Sequence, residues 1–191
     1  MINDYNERLH KIEEEIAKIL PAESSGSWLE EAASLSASLS APEYGSRFYS
    51  SIDTMNTASL DLIERGGKRW RPMLMLLLCE MRCGSMEKAL PLAPLVELPH
   101  NGSLIIDDIE DNSDFRRGKP AVHLVHGTDI AINSANFIYF LPSVVIDNSG
   151  FSTDVKLSLY RSYTTAMRRL HIGQGLDIAW HREHSFFPEE K

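Results

Sequence analysis

The sequence has few cysteines, fewer basic than acidic residues and no long apolar run. Its two cysteines, Cys79 and Cys83, are too few for a disulfide-stapled fold, and their spacing in an apolar segment predicts two buried thiols on one helix face. Its 19 Lys and Arg residues against 27 Asp and Glu residues give a net charge of −8, which argues against a general nucleic-acid binder. The longest purely apolar run, Met73–Cys79, is far shorter than the ~20 residues of a membrane-spanning helix. We therefore expect neither nucleic acid as a partner nor a membrane span.

The remaining composition is that of an ordinary globular protein. Apolar residues make up 43% of the 191 residues and charged residues 24%, which excludes a disordered or collagen-like chain. The N-terminus contains Asp4, Glu7 and three consecutive glutamates where a signal peptide has a basic segment followed by an apolar one. We expect a single domain over residues 1–191 and a cytoplasmic location.

The hydrophobic pattern has a helical period. From Ile2 to Ile19 apolar residues recur at alternating steps of three and four, which is the stripe of an amphipathic helix that Pro21 ends. Strand-like alternation is absent, so we expect an all-α fold. Pro99 should bend or break the longest apolar helix, and Pro142 should interrupt the helix after it. The predicted helices are residues 2–19, 28–39, 52–65, 73–81, 89–111, 134–146 and 154–180.

The sharpest chemical motif is the acidic segment DDIED that begins at Asp107. On a helix Asp107 and Asp111 lie one turn apart with Asp108 beside them, and carboxylates at a helix C-terminus repel one another and oppose the helix dipole. Mg²⁺ would relieve both problems, and the nearby Arg116 and Arg117 could bind phosphate oxygens bidentately. The segment therefore indicates a Mg²⁺–diphosphate site, although a solvated acidic helix end has the same composition.

A second motif, GGKRWRP at residues 66–72, combines a glycine turn with basic residues. The glycines allow a sharp turn, and Lys68 and Arg71 then stand at the N-terminus of the next helix, where anions bind. By itself the motif is weak evidence for a phosphate site, because a nucleic-acid patch or a plain surface turn has the same residues.

A third motif, GQGLD at residues 173–177, places Gln174 and Asp177 on one face of the last predicted helix. Such a pair is costly in a buried position unless it is hydrogen-bonded, so it faces either a polar cavity or solvent. His100 lies two helical turns before Asp107 on the same side of its helix, which makes it a candidate pocket residue, although a lone histidine is usually structural.

Taken in order, the segments GGKRWRP, HNGSLIIDDIEDNSDFRRGKPAVH and GQGLD resemble the trans-polyprenyl diphosphate synthases, and most closely the geranylgeranyl diphosphate synthases. The resemblance covers roughly residues 52–180 and implies an all-α, isoprenoid synthase-type barrel of helices around a central cavity. It implies Mg²⁺-dependent head-to-tail condensation of isopentenyl diphosphate with an allylic diphosphate, giving geranylgeranyl diphosphate or a longer product and releasing pyrophosphate. It also implies a homodimer.

The same resemblance implies roles for individual residues. Asp107 and Asp111 would ligate Mg²⁺ with support from Asp108, and Arg116 would hold the allylic diphosphate, so that these four residues would be catalytic. The other implied substrate-binding residues, around isopentenyl diphosphate or along the same cavity, are Lys68, Arg71, His100, Arg117, Gln174 and Asp177.

The family's lysine–threonine motif and its second aspartate-rich motif do not occur before the last residue, Lys191. We therefore expect an incomplete barrel that lacks its C-terminal helices and is inactive alone. Two alternatives stay open: a non-catalytic short subunit that binds a full-length partner through an exposed apolar face, and a class I terpene cyclase fragment. Lys68 and Arg71 argue against the cyclase, which shares the acidic motif but not the basic one.

Product length depends, by the same resemblance, on Gly102 and Ser103, which lie about one turn before Asp107. Bulky aromatic residues at these positions block the growing chain in this family, so small residues imply an open tunnel. The Ser103→Phe substitution should shorten the product in a prenyltransferase assay that separates the dephosphorylated alcohols by length. An unchanged distribution of lengths would contradict this interpretation.

Overall fold

The computed structural model describes residues 2–33 and 45–183. Helices dominate this part of the chain, which confirms the predicted all-α fold class. Two short 3-10 turns precede α5 and α8, at Leu90–Leu92 and Leu141–Ser143. The helices and strands are α1 (Ile2–Ile19), α2 (Gly26–Ala33), α3 (Gly45–Glu64), α4 (Trp70–Cys83), α5 (Pro94–Glu110), β1 (Phe115–Arg116), β2 (Lys119–Pro120), α6 (Val122–His126), α7 (Thr128–Phe140), α8 (Val144–Asp147) and α9 (Thr153–Glu183).

The helical periodicity predicts most of these elements and misplaces some ends. The first helix has the predicted bounds, whereas α3 begins seven residues before the predicted start. The earlier start is explained by Phe48, Tyr49 and Ile52, which form one half-buried stripe against the core. The predicted continuation of the second helix over residues 34–39 lies outside the described residues, and the short α6 was not predicted.

The two prolines singled out in the sequence have different effects. Pro99 lies inside α5, which is continuous from Pro94 to Glu110, so the predicted local break is wrong and the alternative, a bend, stays a prediction. A proline in a helix removes one backbone hydrogen bond, and burial of the neighbouring Leu98 offsets that loss. Pro142 lies in the 3-10 turn between α7 and α8, which confirms the predicted interruption.

A small antiparallel hairpin follows α5, although the sequence showed no strand-like alternation. Phe115 pairs with Pro120 and Arg116 with Lys119, and the turn between them consists of Arg117 and Gly118. Both turn residues have positive φ, 52° and 76°, which is the requirement of a type I′ hairpin turn. Strands of two residues are too short to produce a periodic pattern, so composition cannot reveal them.

Four helices enclose the part of the core that lies nearest to this hairpin. Ala58 and Leu62 of α3, Ile105 of α5 and Val122 of α6 are fully buried, and the small residues Ala131 and Ala135 of α7 complete the cluster. A larger cluster joins α1, α2 and α4 to the other side of α5. The α5 helix is therefore central, with α7 as its most extensive neighbour.

The chain divides into two compact units, Met1–Asn148 and Ser149–Lys191. The second contains α9, none of whose described residues is fully buried. The prediction of a single domain over the whole chain stays a prediction. Of the two cysteines expected to be buried on α4, Cys79 is half-buried and Cys83, the last residue of the helix, is exposed.

One stretch of the described residues, Thr128–Asp147, is long and apolar enough to cross a membrane by length and composition, with a mean hydropathy of 1.4. It comprises α7, a 3-10 turn and α8, and 56% of it is buried inside the fold. Core helices of soluble proteins pass the same test, so the feature is weak evidence for a span. The expected absence of a membrane span remains a prediction.

Gly102 is the point of closest approach between α5 and α7. A Cβ atom at this position would lie 2.9 Å from the backbone oxygen of Ala135 and 3.1 Å from the ring of Tyr139. Contacts this short require one helix to move away from the other. In the structure, glycine at this position permits close packing of the two helices.

The Gly102→Ala substitution should lower the free energy of unfolding by about 1–3 kcal/mol, because overpacking a rigid helix interface forces a backbone shift. Urea denaturation followed by circular dichroism measures this change. Gly173→Ala on α9 is the matched control, since a Cβ there meets nothing within 4 Å. Equal stability of the Gly102→Ala variant and the wild type would contradict the packing assignment.

Candidate active site

The acidic motif lies where α5 leaves the core. Asp108 is completely buried, whereas the side chain of Asp107 is about one-third exposed and Asp111 is exposed. The helix ends at Glu110, and the backbone N–H of Ser113 donates to the carbonyl oxygen of Asp108 at 2.8 Å. The i, i+4 spacing predicted from sequence is thus realised, with Asp107 and Asp111 at the surface and Asp108 facing inward.

Arg116 of the hairpin lies directly against this helix end. Its Nε donates to Oδ1 of Asp108 at 2.8 Å and its Nη2 to Oδ2 of Asp107 at 3.2 Å. The hydrogen bond to Asp108 is the main cause that raises the pKa of Arg116 above its ordinary value. Oδ2 of Asp108 is buried and has no hydrogen-bond partner among the described residues. The buried carboxylate of Asp108 therefore fixes the Arg116 guanidinium beside the surface carboxylate of Asp107.

Arg117 points the other way, toward α3. Its Nη1 donates to the backbone oxygen of Leu62 at 2.8 Å, and its positive φ turns the side chain away from that of Arg116. Its guanidinium also faces Gly67, whose added Cβ would lie 3.6 Å from the Arg117 Cζ atom. Burial and the neighbouring Arg69 lower the pKa of Arg117. The type I′ turn thus directs Arg116 toward the end of α5 and Arg117 toward α3 and the glycine loop.

The glycine loop brings further cations to the same region. Gly66 has φ +85° and Gly67 φ +152°, conformations that only glycine adopts without strain. Lys68 is exposed, and its backbone oxygen accepts a hydrogen bond from the Tyr5 hydroxyl at 2.7 Å. Arg71, in the first turn of α4, donates from Nη1 to Nε2 of His100 at 2.9 Å. The loop therefore joins the basic motif to the middle of α5.

His100 is held as a neutral ring among cations. Burial and, next, the charge of Arg71 lower its pKa from 6.5 to about 4. Because guanidinium can only donate, Nε2 of the ring accepts from Arg71 and its proton lies on Nδ1. Burial is the larger cause of this shift, and the positive charge that adds to it makes the surroundings of His100 favourable for an anion.

Arg69, in the middle of the basic motif, has a structural role that the sequence did not single out. It adopts φ +45°, is buried, and donates from Nη1 to Glu97 at 3.0 Å and from Nη2 to the backbone oxygen of Ile63 at 2.6 Å. Glu97 in turn accepts from Asn101 at 3.0 Å. These contacts tie the loop to α5. The sequence shows three basic residues at positions 68, 69 and 71, and it does not distinguish the buried Arg69 from the other two.

Arg65, Asp61 and His126 also lie beside the site and were not predicted as part of it. Arg65 pairs with Asp61 at 2.7 Å, and Nε2 of His126 lies 3.1 Å from the same carboxylate. His126 is about 60 residues distant from the other two, so no local pattern connects them.

Four further predicted site residues have other surroundings. Gly102 packs against α7, and the Ser103 hydroxyl donates to the backbone oxygen of His100 at 2.8 Å. Gln174 and Asp177 lie on α9 in the second unit, where Asp177 is 3.5 Å from His181. Their predicted roles in chain length and in the cavity stay predictions.

No cluster of three His, Cys, Asp or Glu side chains that could hold a metal occurs within residues 2–33 and 45–183. The donor set nevertheless fits Mg²⁺, which takes one or two carboxylates and completes its shell with water and substrate phosphates. Asp107 and Asp111 supply two oxygen donors at an exposed helix end, and the adjacent cationic site would hold the phosphates. They are the residues that could hold the ion.

The helical fold is shared with solved structures of isoprenoid synthases. The sequence profile of the polyprenyl synthetase family matches residues 52–191, so the chain belongs to this family. In fold it resembles the crystal structure of geranylgeranyl pyrophosphate synthetase from Pyrococcus horikoshii, with a TM-score of 0.76 and 24% identity, over 94% of this chain and 47% of that one. An isoprenoid synthase family member from Thermotoga neapolitana matches with a TM-score of 0.62 and 30% identity, over 70% of this chain and 51% of the other.

Two of the curated proteins that match this chain in sequence are described by their identity and coverage. A geranylgeranyl pyrophosphate synthase from Dictyostelium discoideum is 42% identical over 105 residues, which are 55% of this chain and 33% of that protein. A short chain isoprenyl diphosphate synthase from Methanocaldococcus jannaschii is 46% identical over 87 residues, which are 46% of this chain and 27% of that protein. The chain thus spans about a third of the length of these relatives.

The His100 ring should report on anion binding. In an NMR titration of its Cε1–H resonance we expect a midpoint near pH 4 in the free chain. Inorganic pyrophosphate should raise the midpoint by about one unit or more, since an adjacent anion favours the imidazolium. The Arg71→Ala variant serves as control and should raise the midpoint without ligand. A midpoint near 6.5 in the free chain would contradict the described surroundings of His100.

The same shift has a defined effect on stability. Unfolded His100 binds its proton near pH 6.5 and the native residue near pH 4, so the unfolded state binds more protons between these values. The contribution of His100 to the free energy of unfolding therefore falls as the pH drops from 6.5 to 4. In His100→Gln this part of the pH dependence should disappear from urea denaturation curves.

Proposed function

We propose that this chain forms the first aspartate-rich motif and the isopentenyl-diphosphate-binding part of a Mg²⁺-dependent isoprenyl diphosphate synthase. The observation on which the proposal depends is the junction of three segments: the acidic end of α5, the hairpin arginines and the glycine loop. The names of the sequence relatives, a geranylgeranyl pyrophosphate synthase and a short chain isoprenyl diphosphate synthase, support it.

The basic half of the site binds isopentenyl diphosphate. Arg117 faces Gly67 of the glycine loop, Arg71 bonds His100, and Lys68 of the same loop is exposed. The N–H groups of these three residues can donate to the phosphate oxygens of isopentenyl diphosphate. His100 supplies an Nδ1–H donor without adding a positive charge, because its imidazole is neutral above about pH 4.

The acidic half binds the allylic diphosphate. Arg116 is fixed by Asp108 at a distance of 3.2 Å from Asp107, so its guanidinium can donate to a phosphate group beside the metal-binding carboxylates. Asp107 and Asp111 would hold Mg²⁺, which when bound neutralises charge that develops on the leaving pyrophosphate.

The reaction that this arrangement supports is head-to-tail condensation. The allylic C–O bond breaks and pyrophosphate leaves with the electron pair; the alkene of isopentenyl diphosphate attacks the cation; and a proton is lost to restore a double bond. Arg116 stabilises the negative charge on the leaving group and needs no movement to do so, since Asp108 already holds it. Geranylgeranyl diphosphate or a longer product is proposed from the small residues Gly102 and Ser103. A homodimer is proposed from the family resemblance, and a cytoplasmic location from the composition of the sequence.

A second candidate is the non-catalytic short subunit. The observation in its favour is an exposed apolar face on α4, formed by Trp70, Leu74, Leu77, Leu78 and Met81. The two candidates differ in what the chain binds. The subunit predicts co-purification with a full-length family member and no diphosphate binding by the chain alone, whereas the synthase predicts binding of both substrates by the chain itself.

Isothermal titration calorimetry with isopentenyl diphosphate and with geranyl diphosphate, each with and without Mg²⁺, tests the two half-sites separately. Arg71→Ala should weaken isopentenyl diphosphate binding about tenfold or more, because a charged hydrogen-bond donor is lost. Asp111→Asn should leave that binding unchanged and remove the Mg²⁺ dependence of geranyl diphosphate binding.

The Lys18→Ala variant is the control, since Lys18 is an exposed cation of α1 that pairs with Glu15. It should bind both ligands as the wild type does. Wild-type chain that binds neither diphosphate at millimolar concentration would overturn the proposed function.

A further inference from the structure

Arg65 is the most completely bonded cation beside the site. Its side chain is 1% exposed. Nε and Nη2 donate to the two oxygens of Asp61 at 3.0 and 2.7 Å, and Nη1 donates to the backbone oxygens of Arg116 and Pro120 at 3.1 and 2.8 Å. Two of these contacts reach the two strands of the hairpin, one on each side of its turn.

Arg65 also lies next to the glycine loop in the chain. Arg65 follows α3 directly and precedes Gly66, the first residue of the glycine loop. It thus connects the hairpin to the start of that loop. His126 of α6 lies 3.1 Å from Asp61 Oδ2 and adds a third element, so that Asp61 is held from two sides.

The hairpin gains from a second anchor, beside the ion pair of Arg116 with Asp108, because Arg117 lies among other cations. Arg116 and Arg117 lie near Arg69 and Arg71, and like charges at short range repel. Burial and, next, the charge of Arg69 lower the pKa of Arg117, and Glu97 offsets part of this shift. Arg65 contributes a further positive charge, but Asp61 compensates it with a bidentate pair, so Arg65 can fix the hairpin backbone without adding net charge.

We infer that Arg65, Asp61 and His126 form a positioning cluster that holds the hairpin arginines at a fixed place beside the glycine loop, so that a diphosphate contacts both segments at once. None of the three needs to touch the ligand. This inference rests on the proposed function for its ligand, and on the contacts of Arg65 with the hairpin backbone for its geometry.

The test compares Arg65→Lys with Arg8→Lys in the full chain. Lysine keeps the charge but cannot bond Asp61 bidentately while also reaching both hairpin carbonyls. Arg8 is the matched control, because it also bonds two carboxylates, Asp4 at 3.0 Å and Glu80 at 2.7 Å, and does not contact the hairpin. Inorganic pyrophosphate with Mg²⁺ is the probe, and its affinity is measured by calorimetry.

We expect about tenfold weaker pyrophosphate binding for Arg65→Lys and a change below about twofold for Arg8→Lys, at comparable loss of thermal stability in both. Equal effects of the two variants on affinity would overturn the inference and reduce Arg65 to a general stabiliser. A wild-type chain that does not bind pyrophosphate would instead count against the proposed function.

A second measurement tests the positioning independently of any ligand. In ¹H–¹⁵N NMR spectra, the amides of Arg117 and Gly118 should shift and exchange faster with solvent in Arg65→Lys, and should be unchanged in Arg8→Lys. If Arg65→Lys does not fold, His126→Ala is the milder variant, with His126→Gln as the rescue because its amide can still donate to Asp61. Unchanged hairpin amides in the folded variant would overturn the inference.

Discussion

The ion pair between Arg116 and Asp108 is the contact on which the described site depends. It joins the end of α5 to the hairpin, and it places a cation beside the surface carboxylates Asp107 and Asp111. Because Asp108 is buried, removal of Arg116 would leave an uncompensated charge in the core, which is far more costly than loss of an exposed pair. The same burial fixes the direction of Arg116, and the hairpin turn then directs Arg117 toward the glycine loop.

Without a ligand, the positive charges of the site repel one another, and a bound polyanion would offset this repulsion. Burial of His100 and, next, the charges of Arg71, Arg117 and further arginines lower its pKa to about 4, so its ring is neutral above that pH. Rigid contacts, among them Arg69 with Glu97, hold these groups against their repulsion. A site whose cations are already in place loses little entropy when its ligand binds, and this preorganisation is what catalysis by charge stabilisation requires.

The sequence was sufficient for the parts of this site that follow a local pattern. The helical period located α1, and the spacing of Asp107 and Asp111 predicted one exposed face at the end of α5. The hairpin was not predictable, because two-residue strands have no period. The connection from Asp61 and Arg65 to His126 was not predictable either, since it depends on how α3 and α6 pack. At Pro99 a local pattern gave a wrong prediction. The rule that proline breaks a helix considers only the backbone, whereas α5 stays continuous because the helix around Pro99 is buried.

In the proposed function, the acidic end of α5 and the hairpin arginines form one metal–diphosphate site. Crystals grown with Mn²⁺ and inorganic pyrophosphate test this most directly, because Mn²⁺ can be located by its anomalous scattering. We expect an anomalous peak bound by Asp107 and Asp111, with the pyrophosphate in contact with Arg116. Pyrophosphate bound elsewhere, or Mn²⁺ bound without these two carboxylates, would contradict the proposed site.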